Sequence, residues 1–357
     1  MAQQGTDRAN TTVPRRAFLK GSAFGLGMGA WTAARGRPRA SVPSEPDRAQ
    51  NRLPREVWIA TVSQAGLEAA DPDGMVQKVL GAAESLASQK PDIVCLPETF
   101  AFWNVPAPGS IRETAESPPG RITRPFARFA REHGCYVVCP TYTRQGDRCY
   151  NAAVLFDRNG NVMGEYRKIH PTEGEIEEGM TPGPLDPPVF RTDVGLVGLQ
   201  ICFDIQWDDG WDALRRAGAE IIFWPSAFAG GAMVNTRAWQ NRCVVVSSTQ
   251  KDTAKICDVS GEEVARTGRW NPNGVCAPVN LEKAFLHTWP YVRHFRDIEA
   301  KYGRRIRLRT FHEEEWTILE SRSPDVKVAD VLEEFDLKTM EEHLRSAGRK
   351  QESARKP

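Results

Sequence analysis

From residue 57 onward the apolar positions switch repeatedly between a period of two and a helical period. Residues 57–62 form a short apolar run of strand type, and Met75, Val76, Val79, Leu80, Ala83 and Leu86 then recur at helical spacing before a second short strand at 92–97. The unit repeats in kind. Residues 122–132 are helix-like with Phe126, Phe129 and Ala130 on one face, His133-Gly134 ends the helix, and 136–139 is the next strand. Stretches 152–157 and 162–166 flank Asn159-Gly160, a strong hairpin signal. Strands at 194–201, 221–224 and 243–247 alternate with helices at 211–217 and 235–242. The pattern predicts an α/β protein of two halves, a two-sheet sandwich with helices outside. Beyond about residue 285 the texture becomes densely charged. There Val331, Leu332, Phe335, Met340 and Leu344 are spaced for one amphipathic C-terminal helix, read as a packing or dimer element.

Composition narrows the class. The 357 residues are 40% hydrophobic and 26% charged with a formal net charge of +1, which excludes disordered, collagenous and multi-span membrane chains. The charge is uneven: residues 1–40 hold seven Arg or Lys against one acid, Asp7, so the remainder is net acidic. An acidic body does not neutralise phosphates, and nucleic acid is not an expected partner. Pro14-Arg15-Arg16-Ala17-Phe18-Leu19-Lys20 precedes a glycine-rich, weakly apolar run at 21–34, too short and polar for a stable membrane anchor. This resembles a twin-arginine export signal, which implies a folded protein delivered to the periplasm or secreted. Ala33, Ala34 and Ala40 all offer cleavage points. The expected division is signal and linker at 1–50, a main domain at 51–285 and an extension at 286–357.

Eight cysteines, Cys95, Cys135, Cys139, Cys149, Cys202, Cys243, Cys257 and Cys276, admit disulfides in an exported chain. Cys95, Cys139 and Cys243, however, lie in or against apolar strands, where an unpaired cysteine acts as a small hydrophobe. No closely spaced cysteine pairs and no histidine cluster mark a metal site.

Three segments deliver a reactive side chain at a strand end, where layered α/β folds gather their sites. Glu98 follows Cys95-Leu96-Pro97, Lys168 closes the second hairpin strand, and Cys202 ends the strand Gly198-Leu199-Gln200-Ile201. Taken singly, each is an ordinary surface or core residue. Together they form an acyl-transfer set. A thiol with pKa about 8.5 is mostly protonated at neutral pH. A carboxylate can take that proton, and an ammonium can stabilise the thiolate and the later oxyanion.

The order Leu96-Pro97-Glu98, Tyr166-Arg167-Lys168-Ile169-His170 and Ile201-Cys202-Phe203-Asp204 resembles the nitrilase superfamily of carbon-nitrogen hydrolases. Tyr150-Asn151-Ala152-Ala153, Thr181-Pro182-Gly183 and Trp224-Pro225-Ser226-Ala227 extend the likeness over roughly residues 55 to 285. The resemblance implies a four-layer αββα sandwich, with Cys202 as nucleophile, Glu98 as general base, Lys168 as oxyanion-stabilising ammonium and the Phe203 amide as second oxyanion donor. It implies no cofactor or metal, and a homodimer or larger assembly. Relatives also carry a second glutamate after the lysine. Of the four in 172–180, Glu175 is favoured because Pro171 and Gly174 precede it, and Glu178 is the alternative.

The implied function is an exported thiol hydrolase cleaving a non-peptide C–N bond of a small linear amide or N-carbamoyl compound. Phe203-Asp204 resembles amide and carbamoyl hydrolases rather than nitrile-cleaving members. Ile205-Gln206-Trp207-Asp208 departs from the common Arg-Phe-Pro-Glu, so the relatives' substrate contacts do not transfer. Trp103, Trp207, Trp224 and Phe228 are candidate pocket walls or packing residues. Acyl transfer on the same fold, a catalytically silent binding or scaffold subunit, and a disulfide-built binding protein remain as alternatives.

Overall fold

The computed structural model describes residues 53–356; the expected export signal lies outside the described residues. The chain enters on β1 (Glu56–Val62). It passes through α1 (Pro72–Ala87), where the Asp71 carboxylate accepts the Gly74 N–H at 2.7 Å and Pro72 takes the first turn. β2 (Ile93–Cys95), α2 (Arg124–His133), β3 (Tyr136–Gln145), β4 (Arg148–Phe156) and β5 (Val162–Arg167) follow. Gly134 ends α2 at φ +62°, a conformation a glycine adopts without steric cost. A one-turn-plus helix, α3 (Glu173–Glu177), leads into the second half. That half comprises β6 (Phe190–Thr192), β7 (Gly195–Leu199), α4 (Asp209–Arg216), β8 (Ile221–Ser226), α5 (Ala232–Asn241), β9 (Val244–Thr249), β10 (Lys255–Cys257) and β11 (Glu263–Arg266). β12 (Gly274–Asn280) returns to the first half.

The sheets run β12-β1-β2-β3-β4-β5 and β11-β10-β9-β8-β7-β6. Each centres on three parallel strands, β1, β2 and β3 in one and β7, β8 and β9 in the other, with antiparallel strands outside. Because successive strand residues face opposite ways, Ile59 and Ile93 meet Leu199, Phe223 and Val246 between the sheets, while Ala60 and Val94 turn outward to helices. α1 and α2 cover one outer face with Val79, Phe126 and Phe129. α4 and α5 cover the other with Trp211, Leu214, Val234 and Ala238. The result is the expected four-layer αββα sandwich, and each large side chain so buried contributes about 1.5–3 kcal/mol.

Several boundaries differ from expectation. β3 runs on past Cys139 through Pro140, because its parallel pairing with β2 ends at Val138 and no neighbour there requires the missing N–H. β4 accordingly starts at Arg148 rather than 152. The hairpin after it turns through a five-residue loop, in which Asp157 Oδ1 accepts both the Asn159 and Asn161 N–H at 2.8 Å. β10, β11 and β12 carry no clear signal, being short and set among Gly, Pro and Asn.

Beyond the sandwich lies a small three-stranded antiparallel sheet. It is formed by β13 (Lys283–His287), β14 (Ile306–Phe311) and β15 (Trp316–Ser321) in the order β13-β15-β14, with α6 (Phe295–Tyr302) between β13 and β14. The single C-terminal helix expected from the spacing is two helices, α7 (Val328–Glu334) and α8 (Met340–Arg355). Asp336 at φ +48° breaks the run and lets Leu337 turn inward. This extension packs on the sandwich: Trp239 of α5 stacks on Trp316 at 4.2 Å between ring centroids, and Arg215 pairs with Glu341 at 2.9 Å. All eight cysteines are free thiols. Among the described residues no helix is long and apolar enough to cross a membrane, and no group of His, Cys, Asp or Glu could hold a metal ion.

Candidate active site

Glu98 leaves the end of β2 on a turn clamped from the other half of the molecule. The Gln250 side chain, just past β9, donates to the Glu98 carbonyl at 2.6 Å and to Thr99 Oγ1 at 3.2 Å. Lys168 directly follows β5, where its N–H bonds the Asn151 carbonyl of β4 at 2.8 Å and fixes the register of the two side chains. Glu175 sits three residues after Thr172, the N-cap of α3. The Thr172 N–H donates to Glu175 Oε2 at 2.7 Å, and Thr172 Oγ1 accepts the Glu175 N–H at 3.3 Å. One carboxylate thereby caps the helix and faces the lysine. Lys168 Nζ donates to Glu98 Oε1 at 3.0 Å and to Glu175 Oε2 at 2.7 Å. Asn151 Nδ2 donates to Oε1 of both acids at 2.8 Å. That amide supplies part of the compensation a buried group of two acids and one ammonium requires.

The second half brings the cysteine. Cys202 sits at φ +46° where the segment after β7 bends into a 3-10 turn, Cys202–Gln206. A non-glycine residue there costs about 1–3 kcal/mol and persists only when its surroundings hold it. The buried Asp204 does much of that holding. Its Oδ2 accepts Tyr166 Oη–H at 2.7 Å and the Ile201 N–H at 2.9 Å, and its Oδ1 accepts the His170 N–H at 2.8 Å. Asp204 therefore ties the lysine-bearing segment to the base of the cysteine turn. Trp224 Nε1 donates to the Cys202 carbonyl at 2.9 Å, and Arg237 of α5 donates to the Ile205 and Trp207 carbonyls at 2.7 and 2.9 Å.

The electrostatics follow from burial and sign. Burial and then the Glu98 charge push the Cys202 thiol up to about 12, against the pull of Lys168 and the Ala227 N–H, so the resting sulfur is a protonated thiol. Burial disfavours the Lys168 ammonium, but the Glu98 charge, the Cys202 sulfur once ionised and the Glu175 charge outweigh it and raise its pKa. Burial likewise opposes the Glu175 carboxylate, and Lys168 and Asn151 overcome it and lower its pKa. Glu98 Oε2 is buried with no hydrogen bond, which leaves one carboxylate oxygen open to accept a proton.

Glu98, Lys168, Glu175 and Cys202 all line one cavity of ≈ 270 Å³, with Trp103, Tyr142, Asn151 and Gln250 among its other walls. Three of the expected wall residues lie elsewhere. Trp224 is fully buried behind the cysteine in the outer core of the second sheet. Phe228 packs edge-on against Trp224 at 5.3 Å. Trp207 stacks on His170 at 4.3 Å with Phe203 against its edge, outside the cavity lining. The Phe203 N–H nonetheless begins the turn next to Cys202, and its ring is not part of the lining. Glu178 is the C-cap residue of α3 and does not reach the lysine group. Asn151, Asp204 and Gln250 were missed as site residues. Threonine and glutamate at 172 and 175 form a capping box, a signal that singles out Glu175 independently of any likeness.

The carbon-nitrogen hydrolase family model matches residues 59–284. The chain is 31% identical to the deaminated glutathione amidase of Bos taurus over 177 residues, 43% of this chain and 53% of the relative. It is 29% identical to the β-ureidopropionase of Arabidopsis thaliana over 201 residues, 52% of this chain and 48% of the relative. It thus spans about half the length of these relatives. Among solved structures, Saccharomyces cerevisiae Nit3 superposes with a TM-score of 0.55 at 22% identity, covering 64% of this chain and 91% of Nit3. An amidase from Nesterenkonia sp. AN1, carrying the acetamide moiety of fluoroacetamide on its active-site cysteine, gives 0.56 at 18%, covering 74% and 99%. At such identities the structural matches speak to the fold.

Proposed function

Because the chain belongs to the carbon-nitrogen hydrolase family, we propose that it is a thiol amidase cleaving a short linear amide or a carbamoyl end group through a Cys202 thioester. Its amide-hydrolysing relatives and the four residues on one cavity support the reading. Cys202 Sγ attacks the carbonyl carbon while its proton passes to Glu98, whose Oε2 is open to receive it. Burial and the Glu98 charge keep the sulfur protonated until the base takes its proton. The oxyanion is met by Lys168 Nζ and the Phe203 N–H. Collapse breaks the C–N bond, and Glu98 returns the proton to the departing ammonia or amine. Water, deprotonated by Glu98, then cleaves the thioester to the free acid and restores the thiol. Glu175 holds Lys168 in place throughout.

Substrate size is argued from the cavity. At ≈ 270 Å³ it falls just below the common range for small-molecule sites. Among the described residues its one lining cation already faces two carboxylates, so no unpaired cation inside receives a substrate's own carboxylate. A neutral amide fits entirely, and an N-carbamoyl acid fits with its acid end directed outward. Release through the twin-arginine route and assembly as at least a homodimer belong to the same proposal.

The observation that carries the reading is Lys168 pinned between Glu98 and Glu175 on the cavity that Cys202 lines. The test is ammonia release from aliphatic amides, ureido acids, acyl-amino acids and nitriles, with hydroxylamine present to trap the acyl group. Amide or ureido turnover with hydroxamate formation is expected. Retained release in Cys202→Ala would reject the nucleophile, and silence on every substrate would favour the scaffold reading. Arg15→Lys with Arg16→Lys should keep the protein in the cytoplasm on cell fractionation.

A further inference from the structure

We propose that the cleft between the sandwich and the C-terminal extension is a second binding site, for a small organic anion bearing at least two negative charges. The cleft encloses ≈ 1000 Å³ and shares no lining residue with the catalytic cavity. Its walls come from the C-terminal ends of α4 and α5 on one side and from β13, α7 and α8 on the other. The family match stops at residue 284, so Phe285, Leu332, Met340, Glu341 and Arg345 are contributions of the extension.

Charge is the main argument. Arg55, Arg215, Arg216, Arg242, Lys283 and Arg345 line the cleft against only two acids, Glu282 and Glu341. Some of that charge is matched locally: Arg55 meets Glu220 at 2.7 Å and Lys283 meets Asp258 at 2.6 Å. Arg215 meets Asp212 at 3.2 Å and Glu341 at 2.9 Å, and Glu341 also serves Arg242 at 3.2 Å, so one carboxylate is shared between two guanidinium groups. Arg216 and Arg345 are exposed and have no ion pair among the described residues. Arg242 is also driven below the ordinary arginine range by burial, with the Arg215 charge adding to the effect against Glu341. Its buried Nε has no hydrogen bond.

The floor supplies the second part. Leu281, Phe285, Leu332 and Met340 give it apolar surface, which suits an organic body beneath the charged groups. Guanidinium groups present planar paired donors to carboxylate or phosphate oxygens, so either anion type meets the same chemistry. The basic segment at 1–40 has the wrong sign to occupy the cleft.

The experiment is calorimetric titration of the full chain with pyrophosphate in one arm and citrate in the other, at matched ionic strength. Saturable one-to-one binding of either probe is expected, and the arm that binds tells phosphate from polycarboxylate. R216A/R345A should weaken it by roughly ten-fold per guanidinium lost. Both arginines are exposed and unpaired, so an unchanged melting temperature should accompany the loss. Heat that vanishes at matched ionic strength, or equal binding in the double variant, would overturn the proposal. So would a changed oligomeric state in R216A/R345A with no probe binding, which would make the cleft an interface.

Discussion

The two halves of the sandwich share a strand plan yet bring opposite things to the cavity. The half built on β1–β5 contributes charge: Glu98, Asn151, Lys168 and Glu175 reach the site as side chains hydrogen-bonded to one another. The half built on β6–β11 contributes position. Cys202 arrives on a backbone bent to φ +46° and held by Asp204, Trp224 and Arg237. A change in the first half should therefore act through electrostatics, and a change in the second through where one sulfur sits.

Lys168→Met tests the charged half and carries the largest expected effect. It leaves the buried Glu98 and the half-buried Glu175 without their cation, a loss of about 3–5 kcal/mol in stability by analogy with broken buried pairs. With Lys168 meeting the oxyanion as proposed, its removal should lower kcat by about 10²–10³. The stability loss should shrink in acid, where the wild type itself loses the Lys168–Glu175 attraction as Glu175, held low by Lys168 against burial, protonates; thermal melts at several pH values would read this. A defect confined to KM would contradict the assignment of charge to this half.

Asp204→Asn probes the seam between the halves. Both Asp204 oxygens accept backbone N–H groups, Oδ1 from His170 and Oδ2 from Ile201. An amide in either orientation sets an NH₂ against one of those donors. The expected cost is about 1–3 kcal/mol, with kcat falling because the cysteine turn relaxes. Iodoacetamide should still label Cys202 fully, showing the thiol present but displaced. A variant with normal kcat would mean that Asp204 is dispensable to the turn.

Trp224→Phe is a milder positional change. It keeps a large ring in the core but removes the indole N–H bonded to the Cys202 carbonyl at 2.9 Å. A loss of about 1 kcal/mol in stability is expected, with kcat reduced less than ten-fold and KM unaltered. A large KM increase would return Trp224 to the cavity wall.

The same contrast explains what the sequence disclosed. Residues whose chemistry is their side chain, Glu98, Lys168 and Cys202, stand out because they end apolar strands of readable period. The residues that hold the turn do not. Asp204 accepts Tyr166 Oη–H and the His170 N–H from one distant segment, and Gln250 reaches across the sheets to the Glu98 carbonyl, contacts that no local spacing encodes. Aromatic residues misled for a related reason: Trp224 and Trp207 lie near Cys202, but burial behind the turn and stacking on His170 take them out of the lining. The strands β10–β12 escaped because pairing partners, not their own three to seven residues, make them strands.

The smallest expected effect separates position from charge within one residue. The Asp204 hydrogen bond to the His170 ring, with the Asp204 and Asp209 charges behind it, raises the imidazole pKa above its ordinary 6.5 against the opposing effect of burial. A folded value above the unfolded one means the protonated ring stabilises the fold. That contribution is complete below pH ~6.5 and is lost as pH rises through the folded pKa. Denaturant melts should show wild-type stability declining across that window, and His170→Gln should lack the decline. Turnover should respond less than stability, because the His170 backbone N–H, which does not titrate, keeps its 2.8 Å bond to Asp204 Oδ1, and Oδ2 keeps its grip on Ile201. If kcat instead fell in step with ring deprotonation, the imidazole charge itself would be setting the reactivity of Cys202, and the division of labour between the two halves would fail at that residue.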